Sequence, residues 1–358
     1  MHLPPAAPTP MLDDIARQPD VLAVLVARAD EIAAFVAAHL TPGPGGRVHV
    51  FGSGDGWFAA RAVLAGHPAA WAHSGLDFLL HHAGGLTGAD RALAISMSGN
   101  VDRTFEAVLR AQGAGAAVAL LTNGSGGRIA ATGAARLSLE MPDLAPFLCG
   151  TASYTATLAA LMLAFRPGAG VGLAGVIPGL PGLIDEASTL ARRIVAEIGC
   201  PSGVRWLGAG ASVATADYGA AKCVELARLP SWSDDIEEFA HRQYWAMATD
   251  ELVVLLPDSP DAASYADATA EALSDIGTPT LALEPEGMVV PHARWRLALP
   301  GGRATAAIAQ AIALQPLVYH LALASGTDPD RRPHLREDTA RFAVSRKLTR
   351  RSLLGTGQ

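Results

Sequence analysis

Short apolar runs recur along the chain, each closed by glycine or a turn residue and followed by a stretch with apolar positions three and four apart. Runs of this length predict buried strands of a parallel sheet, and the stretches after them amphipathic helices. Val48-His49-Val50-Phe51-Gly52-Ser53-Gly54 is the first such run, "RALAISMSG" (91–99) the next and "AAVALLTN" (116–123) the third. About 156 residues after the first, Val204-Arg205-Trp206-Leu207-Gly208-Ala209-Gly210 repeats its design. "DELVVLLPD" (250–258) then lies over "RALAISMSG", and "TPTLALEP" (278–285) answers "AAVALLTN". Strands alternating with helices in this way predict two α/β domains, each a parallel sheet covered on both faces in three αβα layers. The pattern divides into an N-terminal helical segment (1–45), a first domain (46–165), a connecting helical segment (166–200), a second domain (201–325) and a tail (326–358). Within the joining region, helices are predicted from Thr151 and over about 183–199, with a Gly/Pro stretch at 166–182 between them.

Composition narrows the function classes. Half of the 358 residues are apolar and 17% are charged, which suits a folded chain with a large core. A net charge of −7 argues against a general nucleic-acid or anionic-membrane binder. Cys149, Cys200 and Cys223 show no C-x-x-C spacing, and "MHLPPAAPTP" lacks the basic-then-apolar order of a signal peptide; a reduced, cytoplasmic protein is expected. The most apolar helix candidate, "TASYTATLAALMLAF", falls short of the roughly 20 residues a membrane span requires. Both Gly52-x-Gly54 and Gly208-x-Gly210 follow strands, but Trp57 and Val213 stand where a dinucleotide loop has its third glycine. The second strand ends in "WAHSG" without an acidic residue for a ribose, so no nicotinamide cofactor is expected. Walker and zinc spacings are absent as well, and neither cofactor nor metal is predicted.

The two predicted domains differ at one turn. Where the first has Ser96-Met97-Ser98-Gly99-Asn100, the second has Leu256-Pro257-Asp258-Ser259. Small hydroxyls, a glycine and the free N–H groups of a following helix form an anion cradle at the carboxyl end of a strand. Thr122 and Ser125, in the turn after the next strand, extend it, while an ordinary helix cap accounts equally for Ser98 or Asn100. In the second domain, Lys222 and Glu225 stand three apart on a predicted helix and share a face. The ammonium would keep Glu225 ionised as a base, and His241, sixteen residues on, would complete a proton shuttle in a semi-buried crevice. A surface ion pair and an unrelated histidine would read the same from spacing alone.

Six short motifs in order resemble the sugar isomerase (SIS) family, and more closely its double-SIS branch. That branch includes the isomerase half of glucosamine-6-phosphate synthase, the fructosamine-phosphate deglycases and the aminosugar isomerase/deaminases. The motifs are "SMSGN", "LTNGSGG", "GTASYTATL", "AAKCVEL", "EEFAH" and "ALASGTDPD", and they cover nearly the whole chain. The resemblance implies two tandem flavodoxin-like SIS domains and a sugar-phosphate substrate. It implies a phosphate grip by Ser53, Gly54, Ser96, Met97, Ser98, Asn100, Thr122, Ser125 and Ser153. Glu225 would move a proton between C1 and C2 through an enediol or enolamine, oriented by Lys222, and His241 would open the sugar ring. A homodimer with shared active sites is implied too, because the family often takes this histidine from the partner subunit.

The chain departs from the family pattern at three places. Val101 follows the serine loop where a threonine is usual, and Gly54 or Gly56 stands where the first glycine loop commonly carries serine. Asp55 would repel a phosphate and suits sugar hydroxyls better. The lysine that the aminosugar synthase uses as a Schiff-base amine has its matching place near Arg336 and Glu337, and Lys347 comes about ten residues too late. A guanidinium stays protonated and cannot replace that amine, although Arg331, Arg332 and Arg336 still offer positive charge. The expected activity is therefore aldose–ketose isomerisation or the related deamination or deglycation. The alternatives are a non-catalytic sugar-phosphate-binding regulator, or an enzyme of the same fold whose substrate lacks a standard phosphate.

Overall fold

A computed structural model describes residues 9–142, 149–332, 337–349 and 352–353. Among the described residues, ten strands form two parallel five-stranded sheets flanked by helices, an α/β three-layer arrangement. The chain divides into two compact units that interleave in sequence. One comprises Val24–Asp143, Ala156–Pro167 and His334–Gln358; the other comprises Met1–Ala23, Leu144–Thr155 and Gly168–Pro333. The boundary near Thr155 falls inside the helix Ala152–Phe165.

The first of these units holds β1 (Val48–Gly52), β2 (Ala70–Ser74), β3 (Arg91–Ile95), β4 (Ala117–Thr122) and β5 (Ala135–Ser138) in the order β2-β1-β3-β4-β5. Register aligns Gly52 with both Ser74 and Ile95, so the ends of β2, β1 and β3 lie level. One core of this unit gathers Phe51, Phe78, Val108 and Leu120, all fully buried. Strand order reverses between β1 and β3, and in open α/β sheets the crevice beyond the carboxyl ends at that point is where ligands bind.

The second unit holds β6 (Val204–Gly208), β7 (Ser231–Asp235), β8 (Leu252–Leu256), β9 (Thr280–Glu284) and β10 (Trp295–Ala298), ordered β10-β9-β8-β6-β7. From its other edge this is the same order, with its reversal between β6 and β8. Helix Ala306–Ala324 is apolar and long enough to cross a membrane, but 94% of its apolar window is buried inside the protein, where it packs on helix Leu180–Ile198. It serves as a core helix.

Two features depart from the sequence expectation. The Gly/Pro stretch 166–182 is largely helical, with helix Ala169–Val176, a 3-10 turn and the start of helix Leu180–Ile198. Pro178 and Pro181 occupy first-turn positions, where a missing N–H costs nothing. The apolar strand β6 also carries Arg205, which is buried because Glu251 receives its guanidinium at 2.5 and 3.1 Å. Gln243 accepts a third bond at 3.0 Å, and Trp232 lies 4.0 Å from the guanidinium carbon. Removing one partner of a buried pair strands the other charge. Glu251→Ala should therefore cost about 3–5 kcal/mol, measured by urea unfolding.

Candidate active site

The serine loop begins where β3 ends. Ser96 N–H continues the ladder by donating to the Leu121 carbonyl at 3.0 Å, so the residue is held at the sheet's rim. Its side chain is buried, and its hydroxyl has no hydrogen-bond partner among the described residues. A buried hydroxyl without a partner is costly in the empty protein and ready for a ligand oxygen. Helix Asp102–Gly113 follows, with Val101 at its N-cap and no side-chain cap on its first N–H groups. Asp102 in that first turn is paired with Arg128.

Other residues of the loop hold its shape. Thr122 is fully buried and donates its hydroxyl to the Met97 carbonyl at 3.0 Å; Asn123 N–H adds a second bond to that oxygen at 3.3 Å. Asn100 donates to the Ser98 carbonyl at 2.8 Å and accepts from the Arg128 N–H at 3.1 Å. The Ser98 hydroxyl accepts from the Asn100 N–H at 3.2 Å and is exposed. Thr122 and Asn100 thus tie the 96–101 loop to the 123–128 loop through the side-chain atoms expected to grip phosphate. Ser125 is exposed on that second loop.

Ser53 and Gly54 lie at the end of β1, beside the end of β3. Gly54 has φ +55 and caps helix Asp55–Leu64, so the chain turns sharply there and leaves Ser53 exposed. Ser53 and Gly54 after β1 and Ser96, Met97, Ser98 and Asn100 after β3 therefore follow the carboxyl ends of adjacent strands in this unit. Ser153 belongs to the other unit, buried in the first turn of helix Ala152–Phe165, where Asp14 accepts from Thr151 Oγ1 and the Ala152 N–H.

At the equivalent switch point of the second sheet, the crevice already contains a carboxylate. Asp258 is buried and accepts from the Ala211 N–H at 3.3 Å, and a Cβ on Gly210 (φ +54) would lie 2.4 Å from its oxygen. A negative charge there excludes an anionic group by repulsion.

The acid–base residues lie in this second unit. Helix Ser212–Lys222 passes directly into a π-turn, Cys223–Ala227, that carries Glu225. Wide π-turns recur at functional sites because they displace a side chain from the helix ladder. Lys222 is buried and donates to Glu225 Oε2 at 2.8 Å. Arg332, with φ +45, donates to the other oxygen, Oε1. Burial pushes the Glu225 carboxyl up; Lys222 and then Arg332 overcome it and hold the group below its ordinary value. A third of the Glu225 side chain stays exposed, at the wall of an open cleft of 490 Å³ lined by Ala220, Val224, Ser231, Trp232 and Ser233.

A buried polar chain runs beside Lys222. Gln18 donates to Gln315 at 2.8 Å, Gln315 donates to the Tyr218 hydroxyl at 3.1 Å, and Tyr218 donates to the Gly150 carbonyl at 2.7 Å. Tyr218 stacks on Tyr154 with ring centroids 3.7 Å apart, and its ring lies 5.5 Å from the Lys222 ammonium. The neighbour of Lys222, Cys223, is fully buried, and burial pushes its thiol up to about 12, so it is no nucleophile.

His241 lies on the short helix expected for it, apart from Glu225 in its hydrogen bonding. It is on helix Ile236–Arg242, its side chain is 65% exposed, and its ring bonds Glu237 at 3.3 Å rather than Glu225. The helix is a single short segment capped by Asp235, and its acidic first turn supplies the nearer partner. Arg336 lies outside the described residues, whereas Arg332 supplies positive charge from the same tail.

Sequence reasoning left one group undistinguished and missed another. Arg332 was one of three tail arginines with no spacing to single it out. His49, His73, Asp77 and His82 form a cluster that no linear motif announces, since β1, β2 and a π-turn bring it together. Burial and then His73 push His49 down to about 4, and burial and then His82 lower His73.

No protein-family model and no curated protein matches the sequence. Solved structures do match the fold. The C-terminal domain of glucosamine-fructose-6-phosphate aminotransferase from Francisella tularensis superposes with a TM-score of 0.74 at 15% identity, over 91% of this chain and 99% of that one. Tagatose-6-phosphate ketose/aldose isomerase from Escherichia coli gives 0.71 at 19% identity, over 92% and 98%. Glucosamine-6-phosphate deaminase from Thermotoga maritima gives 0.67 at 16% identity, over 92% and 99%. At these identities the likeness establishes a shared fold.

Proposed function

We propose that this chain is a sugar isomerase family enzyme of the double-SIS type, shifting a proton between C1 and C2 of a sugar phosphate or aminosugar phosphate. The observation that carries the reading is Glu225, held ionised by Lys222 and Arg332 at the wall of an open cleft. A carboxylate so placed takes the proton from one carbon of an enediol or enolamine and returns it to the next. The fold neighbours, which include a ketose/aldose isomerase and a deaminase named for phosphorylated sugars, support the same class of chemistry. Ser96, with its buried free hydroxyl, and the uncapped helix start at Asp102 suit an anionic group. His241 acts in this reading as the ring-opening acid supplied to the site of a second copy in a homodimer, since among the described residues its ring bonds the exposed Glu237 and not Glu225.

A second reading has its own support. With Thr122 and Asn100 committed to the loop and Val101 lacking a hydroxyl, the cradle offers fewer donors than a full phosphate grip. A substrate with a smaller or differently placed anion fits those donors. Proton exchange at C1 and C2, followed by NMR in D2O over hexose, hexosamine and fructosamine phosphates and their unphosphorylated counterparts, tests both. Exchange confined to the phosphates and inhibited by inorganic phosphate supports the first reading. Exchange indifferent to phosphate supports the second, and binding without exchange overturns catalysis. Ser96→Val should weaken phosphate inhibition about tenfold, as expected for a hydrogen bond to a charged group of roughly 1.5 kcal/mol.

A further inference from the structure

We infer that the unit carrying the first sheet binds a divalent, zinc-class metal ion through His73 Nδ1, Asp77 Oδ2 and His82 Nε2. Asp77 Oδ2 lies 3.3 Å from His73 Nδ1 and 3.4 Å from His82 Nε2. Metal–ligand bonds of about 2.0–2.1 Å at tetrahedral angles set edges of roughly 3.3–3.4 Å. Two edges of a tetrahedron are thus in place, and the three ligand atoms all lie within 4.8 Å of one another. Closing the longest edge takes a rotation of the His82 ring, whose side chain is 37% exposed and lies against His73 with ring centroids 4.2 Å apart. Two imidazoles and one carboxylate form a donor set of zinc type, with the fourth position left for water or another ligand.

The local fold explains why these residues meet. His73 is the penultimate residue of β2, and Asp77 follows it four residues on in a helical turn. His82 comes five after Asp77, which a straight α-helix would rotate about 140° away. The π-turn Phe78–His82, whose Ala83 N–H bonds the Phe78 carbonyl, adds the residue that restores the alignment. An outer shell is present as well. The remaining ring nitrogen of His73, Nε2, lies 3.1 Å from Nδ1 of the buried His49 on the adjacent strand. Metal-bound histidines characteristically donate that second N–H to a fixed acceptor. Cross-ring contacts of His49 and His73 with Phe78 lock both imidazoles.

The experiment is zinc titration of the chelator-treated full chain against a chromophoric competitor, paired with the visible spectrum of the cobalt-loaded protein. One equivalent should bind, with cobalt bands of tetrahedral intensity, and zinc should raise the melting temperature. Asp77→Ala and His82→Ala, both at exposed side chains, should each weaken binding at least a hundredfold while the metal-free proteins melt as the parent does. His49→Phe should weaken it ten- to a hundredfold at unchanged stoichiometry. His292→Ala, which removes the exposed His292–Asp267 pair elsewhere, should change nothing. Absence of a saturable single equivalent, or binding that survives His82→Ala, would overturn the assignment.

Discussion

Glu225→Gln should abolish solvent exchange at C1 and C2 of the substrate, lowering turnover by about 10²–10⁴-fold, the usual contribution of a positioned general base. The substitution is nearly isosteric and leaves the π-turn backbone unchanged, so substrate binding should survive. One amide oxygen accepts from only one of the two cations that Glu225 now serves, Lys222 and Arg332. A modest loss of thermal stability should therefore accompany the loss of exchange. Glu225→Asp keeps the charge but withdraws it by one methylene, and should fall between parent and glutamine. Equal turnover in all three would remove Glu225 from the mechanism.

The pH dependence gives an independent check on the same group. Burial alone would raise the Glu225 carboxyl, but Lys222 and Arg332 leave it below its ordinary value. The base form therefore persists through neutral and mildly acidic pH, and the acid limb of kcat should lie below the usual carboxylate range. Lys222→Met removes the largest of the lowering influences, so the limb should move to higher pH. The sign for stability is the same: a depressed folded-state pKa stabilises above the unfolded pKa, and the benefit disappears as pH falls through the folded one. A limb unmoved in Lys222→Met would mean that another group titrates.

What could be read from sequence was whatever local periodicity encodes. The central strands β1, β3, β4, β6, β8 and β9 are buried apolar runs and were visible as such. The edge strands β5, β7 and β10 were not, because an edge needs no continuous apolar run: β7 is "SWSDD" and β10 alternates buried with exposed positions. Lys222 and Glu225 were legible because a helix places residues three apart on one face. The pairings of Arg332 with Glu225 and of His49 with His73 were not, since 107 and 24 positions separate the partners, and His73, Asp77 and His82 align only through the π-turn Phe78–His82. The commitment of Thr122 and Asn100 to the loop itself could not be inferred either. A hydroxyl that grips phosphate and one that braces a turn are the same residue in sequence.

That bracing makes Gly99 the most sensitive position of the serine loop. Gly99 has φ +62, and a Cβ there would fall 1.7 Å from the Gly126 carbonyl oxygen and 2.1 Å from its carbon. The obstacle is backbone, which cannot rotate aside, so Gly99→Ala must push the 96–101 and 123–128 loops apart. The bonds at risk are Asn123 N–H to Met97, Ile129 N–H to Gly99 and the Arg128 contacts of Asn100. About 1 kcal/mol for the backbone conformation and about 1 kcal/mol for each bond lost give an expected destabilisation of roughly 3–5 kcal/mol. Gly124→Ala is the matched control: φ is +73, but no atom lies within 4 Å of the added Cβ, so only the conformational cost of about 1 kcal/mol remains. Urea unfolding of the two variants separates steric interlock from backbone conformation. Because the Ser96 carbonyl accepts from the Gly99 N–H in the same loop, Gly99→Ala should also weaken inhibition by inorganic phosphate, while Gly124→Ala keeps it. Equal destabilisation in both variants would show that the two loops are not locked together, and the anion cradle would then have to form without the Gly99–Gly126 contact.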